Sequence, residues 1–326
     1  MADFSQLTNW AAGNSAGFNI SLTKLSWIDD WLPGFFDYRA KLKIGSRTYA
    51  GRGIDAKEDI ACDKALAEAL ERAAVADMAS PWATAAYPEE AGAAERAYRE
   101  LVCIDRVLCH HFCRIPFKSL KMESLAGSVS ADVLSRGLRK NGFHLELCEL
   151  RPVSDAVVVA AFIWSERARK VKGMVSGFGC EKKAEDAAVH AVIECLRTAV
   201  PVFCGELIPE PWELRCVRGN PRWHFWMAQK QEAKDFLINN LLTSRCGFLP
   251  VGDAEKISLE DAVLNKVRSL ESTIPDMPVH IMQASSPKLL RPQFGEILMD
   301  ERFLERLRIF SGFKPCAEIQ VPHFYD

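Results

Sequence analysis

One local pattern occurs twice in this chain, and it constrains the fold more than any other feature. Residues 37–72 run DYRAKLKIGSRTYAGRGIDAKEDIACDKALAEALER, and residues 155–197 run DAVVVAAFIWSERARKVKGMVSGFGCEKKAEDAAVHAVIECLR. Each reads as an apolar strand, a polar hairpin, a second strand ending in Gly-x-Gly, and an alanine-rich helix. Gly51, Gly53, Gly177 and Gly179 are read as punctuating the strand-to-helix turn. Ala61, Ala65, Leu66 and Ala69 form an apolar stripe at helical spacing, small enough for close packing on a sheet. Further helices are expected at 89–112, 131–141, 229–243 and 258–271, and strands at 143–151, 278–283 and 316–321. The Pro- and Trp-rich stretch 205–226 reads as a loop in which the RWHFW run, Arg222 to Trp226, packs into a core. There is no parallel βαβ rhythm, so the expected class is α+β, with mixed or antiparallel sheets covered by helices.

A chain of 326 residues suits one large domain or two modest ones. We read it as a single domain, 1–326, with subregions 1–125, 126–200 and 201–326. The net charge of −2 provides no global field for nucleic acid or an anionic membrane. The start, MADFSQLTNWAAG, has no basic stretch followed by an apolar run, so no signal peptide is expected there, and the longest apolar run, 156–164, is too short for a bilayer. Eleven scattered cysteines without a CxxC pair read as reduced thiols in a cytoplasmic protein. Cys109, His110, His111 and Cys113 are dense, but no second Cys/His pair stands nearby, so they read as a helix end rather than a metal site.

The candidate chemistry lies on three helices. Residues 51–72 carry Gly-x-Gly and then Glu68, Glu71 and Arg72 as E-x-x-E-R. Residues 81–87, PWATAAY, are followed at 100–105 by ELVCID. Residues 177–197 carry the second Gly-x-Gly and Glu194. In order and spacing these stretches resemble the three signatures of the YcaO family, proteins that activate peptide-backbone amides during ribosomal-peptide modification. The resemblance covers roughly 17–200. It implies a YcaO-like α+β fold, and it implies that Glu68, Glu71, Glu100, Cys103, Asp105 and Glu194 occupy an ancestral site for ATP and magnesium. Carboxylates suit magnesium, a hard cation that takes oxygen ligands.

Several positions depart from the family pattern. Pro81 and Trp82 stand at its Ser and Asn, Cys103 and Ile104 at a Glu and its Arg, Lys64 at a Ser, His190 at an Arg and Arg197 at a Gln. A thiol is a poor magnesium ligand, and Lys64, one turn before Glu68, is expected to occupy that carboxylate. Binding of ATP and magnesium is therefore expected to be weak or lost. The implied activity is azoline or other heterocycle formation, by attack of a Cys, Ser or Thr side chain on the preceding amide carbonyl. Lys64, Arg72, His190 and Arg197 are the candidate catalytic residues, stabilising the oxyanion in place of ATP. The implied partners are a precursor peptide and a flavin-dependent dehydrogenase or other pathway protein, as in a trifolitoxin-like thiazole/oxazole pathway. Homo-oligomerisation is left open.

Two other readings stand beside this one. The chain is a non-catalytic scaffold for such a complex, or it is a double-stranded-RNA-binding-like protein, a comparison invited by Lys182 and Lys183 after the second Gly-x-Gly. The charge opposes the RNA reading. Residues 51–72 hold six acidic and four basic side chains, and 179–197 hold four and three, whereas RNA needs a basic face.

Overall fold

Both copies of the repeat fold as expected, but their glycines do a different job from the one the sequence suggests. In the computed structural model they lie inside strands and none has a positive φ. A Cβ on Gly51 would sit 2.2 Å from the carbonyl oxygen of Ala65, and one on Gly177 2.2 Å from the amide nitrogen of Cys195. Likewise, a Cβ on Gly53 or Gly179 would lie 2.1 Å from the carbonyl oxygen of Ala61 or Ala187. The glycines thus let a helix backbone rest directly on a strand, and the alanines opposite complete that close fit.

The structure describes residues 5–29, 31–78, 83–121, 131–166, 171–203, 209–217, 220–242, 255–271, 273–274 and 276–312. The chain divides into two compact units, one of residues 1–100 and 262–285, the other of 101–261 and 286–326.

In the first unit, α1 (Ser5–Phe18) and α2 (Glu58–Val75) cover one face of an antiparallel sheet. Its strands are β1 (Ser21–Leu25), β2 (Phe36–Ile44) and β3 (Arg47–Asp55), in that order. Leu7, Ala40, Leu42, Leu66, Leu70 and Ile281 belong to its core. A second antiparallel sheet joins β4 (Ala83–Tyr87) to the distant segments β9 (Val263–Lys266) and β10 (His280–Ser285), in the order β4-β10-β9. The unit boundary falls within α3 (Glu90–Cys113).

In the second unit, β5 (Lys118–Leu120), β6 (Phe143–Val153), β7 (Ala156–Ser165) and β8 (Met174–Glu181) form a four-stranded antiparallel sheet in chain order. The helices here are α4 (Ala131–Asn141), α5 (Ala184–Phe203), α6 (Pro221–Ala228), α7 (Gln231–Phe236) and α8 (Glu301–Ser311). The fold class is α+β with antiparallel sheets, as expected.

Two local expectations are corrected. The helix expected over 258–271 is a short 3-10 turn, Leu259–Asp261, followed by strand β9. Pairing with β10, Asn265 opposite Gln283 and Leu264 opposite Ala284, takes the main-chain groups a helix would have used. The loop expected over 205–226 ends early, because α6 starts at Pro221 with Asn220 as its N-cap, accepting from the Trp223 N–H at 3.4 Å. An Asn followed by Pro is itself a helix-start signal. The expected strand 316–321 lies outside the described residues.

Candidate functional site

In the first unit, the side chains singled out on α2 and α3 converge on the free edges of two sheets. β3 is an edge strand, so every second residue points its main-chain groups outward, away from β2. Lys64, Glu68 and Arg72 follow one another at i+4 on α2 and meet those groups in turn. Lys64 Nζ donates to Ile54 O (3.4 Å) and pairs with Asp55 Oδ2 (2.7 Å). Glu68 Oε2 accepts the Arg52 N–H (2.7 Å), and Arg72 Nη1 donates to Ala50 O (2.5 Å). Arg72 Nη2 also holds Glu68 Oε1 at 2.6 Å. Lys64 therefore does not block Glu68, as the sequence suggested; Asp55 at the end of β3 draws the ammonium away along the helix.

The edge of β4 is closed in the same manner. The Thr84 N–H donates to Glu100 Oε2 (3.1 Å) and the Ala86 N–H to Glu71 Oε2 (3.2 Å), while the Thr84 hydroxyl donates to Glu71 Oε1 (3.2 Å). Glu71 and Glu100 thus meet at one threonine. Burial first, and the neighbouring charge of Glu68 second, push the Glu71 carboxyl up to about 7, against the opposing hydrogen bonds from Thr84 and Ala86. Edge strands left bare invite pairing with other chains. Here five side chains from two helices occupy the exposed main-chain groups.

In the second unit, the equivalent helix carries the remaining candidates. Counting from each Gly-x-Gly, Lys64 answers to His190, Asp55 to Glu181, Glu68 to Glu194 and Glu71 to Arg197. The helix-to-strand pair forms again: His190 Nδ1 lies 3.5 Å from Glu181 Oε1, as Lys64 lies against Asp55. His190 Nε2 is 4.0 Å from Glu194, and Arg197 Nη2 pairs with Glu194 at 2.7 Å.

Cys103 and Asp105 are buried within the second unit. Asp105 Oδ1 accepts from the Leu290 N–H and from Arg306 Nε, both at 2.8 Å, and Oδ2 from Arg306 Nη2 at 2.7 Å. Arg106 Nη2 pairs with Asp105 at 3.0 Å, and Glu255 accepts from Arg106 Nη1 (2.8 Å) and Arg306 Nη1 (2.6 Å). Two carboxylates and two guanidinium groups thus neutralise one another in the interior. Although burial alone would raise it, the Arg306 and Arg106 charges hold the Asp105 carboxyl below its usual range. Sequence reasoning missed Arg106, Glu255 and Arg306, whose wide separation along the chain leaves no local signal. Arg52 was missed too: it forks onto Asp37 (2.8 and 2.5 Å) and lies 4.8 Å from the Trp27 ring centroid.

In the Cys/His cluster, both ring nitrogens of His110 are engaged by main-chain groups. His110 Nδ1 bonds Ile115 O (2.9 Å) and its Nε2 accepts the Arg151 N–H (3.1 Å), which fixes the neutral tautomer. Burial pulls its pKa down to about 3. The cysteines among the described residues are reduced, and all but Cys216 are buried. Pro81 and Trp82 lie outside the described residues. Among the described residues no helix is long and apolar enough to cross a membrane.

No family model and no curated protein matches the sequence. Solved structures do match in fold. YcaO from Methanopyrus kandleri, bound with AMPPCP and Mg2+, superposes with a TM-score of 0.58 at 15% identity, over 87% of this chain and 90% of its own. The fold is YcaO-like. A heterocyclase in complex with substrate and cofactor shares it with a TM-score of 0.67 at 12% identity, over 99% of this chain, which spans 57% of that heterocyclase. The Escherichia coli microcin synthetase complex shares it at 0.54 and 10% identity, over 78% of this chain and 85% of its own.

A YcaO-like fold raises the question of ATP and magnesium. Magnesium takes oxygen donors in near-ideal octahedral geometry. Among the described residues no three His, Cys, Asp or Glu side chains come together as a metal-holding group. Glu68, Glu71 and Glu100 all accept main-chain N–H groups, and Glu68 also holds Arg72. As arranged, this donor set does not fit a resident magnesium ion.

Proposed function

We propose that the chain acts in heterocycle formation on a ribosomally made peptide, without ordinary use of ATP, and together with a partner such as a flavin-dependent dehydrogenase. One observation carries the reading: the YcaO-like fold extends over nearly the whole chain, shared with a heterocyclase bound to its substrate and with a microcin synthetase complex. The engagement of Glu68, Glu71 and Glu100 at sheet edges supports the part concerning ATP, as does Cys103 at a position where the resemblance implies a carboxylate. In the proposed reaction a substrate Cys, Ser or Thr adds to the preceding amide carbonyl, and water then leaves. A dehydrogenase draws the product forward by removing two hydrogens, with its flavin as the acceptor. Lys64, Arg72, His190 and Arg197 are proposed to steady the oxyanion. Glu194 is proposed as the counterpart of Glu68 in the ancestral site.

The test reconstitutes the protein with a candidate precursor peptide rich in Cys, Ser and Thr and with a flavin-dependent dehydrogenase, and follows peptide mass. The expected result is loss of one water per ring and then of two hydrogens, with or without ATP and magnesium. No mass change under any condition overturns the reading, and a strict ATP requirement overturns its ATP-independent part. Alanine at Lys64, Arg72, His190 and Arg197 is expected to lower ring formation about 100-fold or more, in the range of a lost oxyanion donor.

A further inference from the structure

The sheet β1-β2-β3 has two unlike faces. Tyr38, Ala40, Leu42 and Ile44 turn toward the core under α1 and α2. Asp37, Arg39, Lys41 and Lys43 alternate onto the other face, opposite Leu25, Thr23 and Ser21 on one side and Ile54, Arg52, Ala50 and Thr48 on the other; the end at Leu25, Asp37 and Ile54 is buried, and the end at Lys41 and Lys43 is open. Lys41, Lys43, Ser21, Thr23 and Thr48 are exposed there. The one carboxylate on this face, Asp37, is buried and already held bidentately by Arg52. Arg39, Lys41 and Lys43 remain as a surplus of positive charge on one strand. The guanidinium of Arg39 lies 5.9 Å from the Trp27 ring centroid, and its Nε is buried with no hydrogen-bond partner among the described residues. A carboxylate is the charge-assisted, bidentate partner that suits a guanidinium.

We propose that this open face docks an extended acidic peptide segment along β2. Every second residue of a strand lies about 7 Å further on. A peptide with carboxylates at alternate positions therefore matches Arg39, Lys41 and Lys43 one to one. Polynucleotide binding draws its affinity from many phosphate contacts. Three surplus charges on a chain of net charge −2 suit a short acidic segment better. This inference goes beyond the peptide-modification reading and stands without it, because its test needs no substrate and no turnover.

The probe is a fluorescent hexapeptide alternating Asp and Thr, titrated with the full chain at low salt and followed by anisotropy. Beside it run an Asn–Thr analogue and a single-stranded oligonucleotide. Binding is expected for the acidic peptide alone. The triple variant R39Q/K41Q/K43Q is expected to weaken it about 10-fold or more, as loss of charge-assisted contacts should. The charge-keeping variant K41R/K43R and the remote Lys230→Gln are expected to bind as the parent does, with circular dichroism confirming that each variant is folded. The proposal is overturned if the acidic peptide does not bind, if the Asn–Thr analogue binds equally, or if the triple variant is unaffected. Tighter binding of the oligonucleotide overturns it in favour of a nucleic-acid surface.

Discussion

Glu71 sits in an environment that opposes its charge. Its folded pKa of about 7 lies above the ordinary 4.5, so between those values the folded state holds a proton that the unfolded chain has released. Stability from this group is complete below about pH 4.5 and is lost as pH rises through 7. A tenfold change in proton affinity is worth about 1.4 kcal/mol, and with a discount for the partial exposure of Glu71 we expect about 2 kcal/mol in all. His110 acts in the opposite sense: neutral in the fold and pulled down to about 3, it costs stability as pH falls below its unfolded value near 6.5. Comparison with Glu71→Gln isolates the carboxyl. Urea midpoints measured from pH 8 to pH 5 should show a rise in wild type relative to the variant, and parallel curves would contradict the assignment. In the second unit, Asp105→Asn leaves Arg306 and Arg106 with Glu255 as their one remaining carboxylate in the cluster. Breaking a buried ion pair on one side costs about 3–5 kcal/mol, and guanidinium denaturation should register a loss of that size.

At the scale of elements, the two strand–helix modules depend on the absence of four Cβ atoms. Gly51→Ala and Gly177→Ala each drive a methyl group to within 2.2 Å of helix backbone, which can yield only if the helix shifts off its strand. Overpacking of this kind costs about 1–3 kcal/mol, and more where only backbone can move. A Cβ on Gly13, inside α1, would meet nothing within 4 Å. Gly13→Ala should therefore stabilise the chain by about 0.5–1 kcal/mol through helix propensity. Opposite signs for the two classes, read from denaturant midpoints, would confirm that close approach is what fixes the repeat glycines. Equal and small effects would show that it does not.

For the whole molecule, the proposed reaction without ordinary use of ATP is tested by nucleotide binding. The superposition on a YcaO protein that holds a nucleotide analogue and Mg2+ spans 87% of this chain, yet Glu68, Glu71 and Glu100 are engaged at sheet edges and Asp105 by Arg306. Calorimetric titration with ATP, with and without magnesium, should give no binding heat at millimolar nucleotide. A magnesium-dependent isotherm that Glu71→Gln abolishes would reverse this conclusion.

The periodicity of the chain was enough to place the repeat, the α+β class and the helices 89–112 and 131–141, because alternation and helical spacing are local properties. The order of the three signatures likewise led to the YcaO-like fold. Three things depended on distant segments. Residues 258–271 have a helical pattern, but β10 recruits Val263–Lys266 as a strand. Asp105 reads as a member of a ligand set until Arg306 and Glu255 arrive from far along the chain to neutralise it and Arg106. Glu68, Glu71 and Arg72 have the spacing of a metal-binding or ion-pairing helix. Only the placement of β3 and β4 edges beside α2 decides that their partners are main-chain groups, since a hydrogen bond depends on which atoms meet in space and sequence spacing constrains that only within one element.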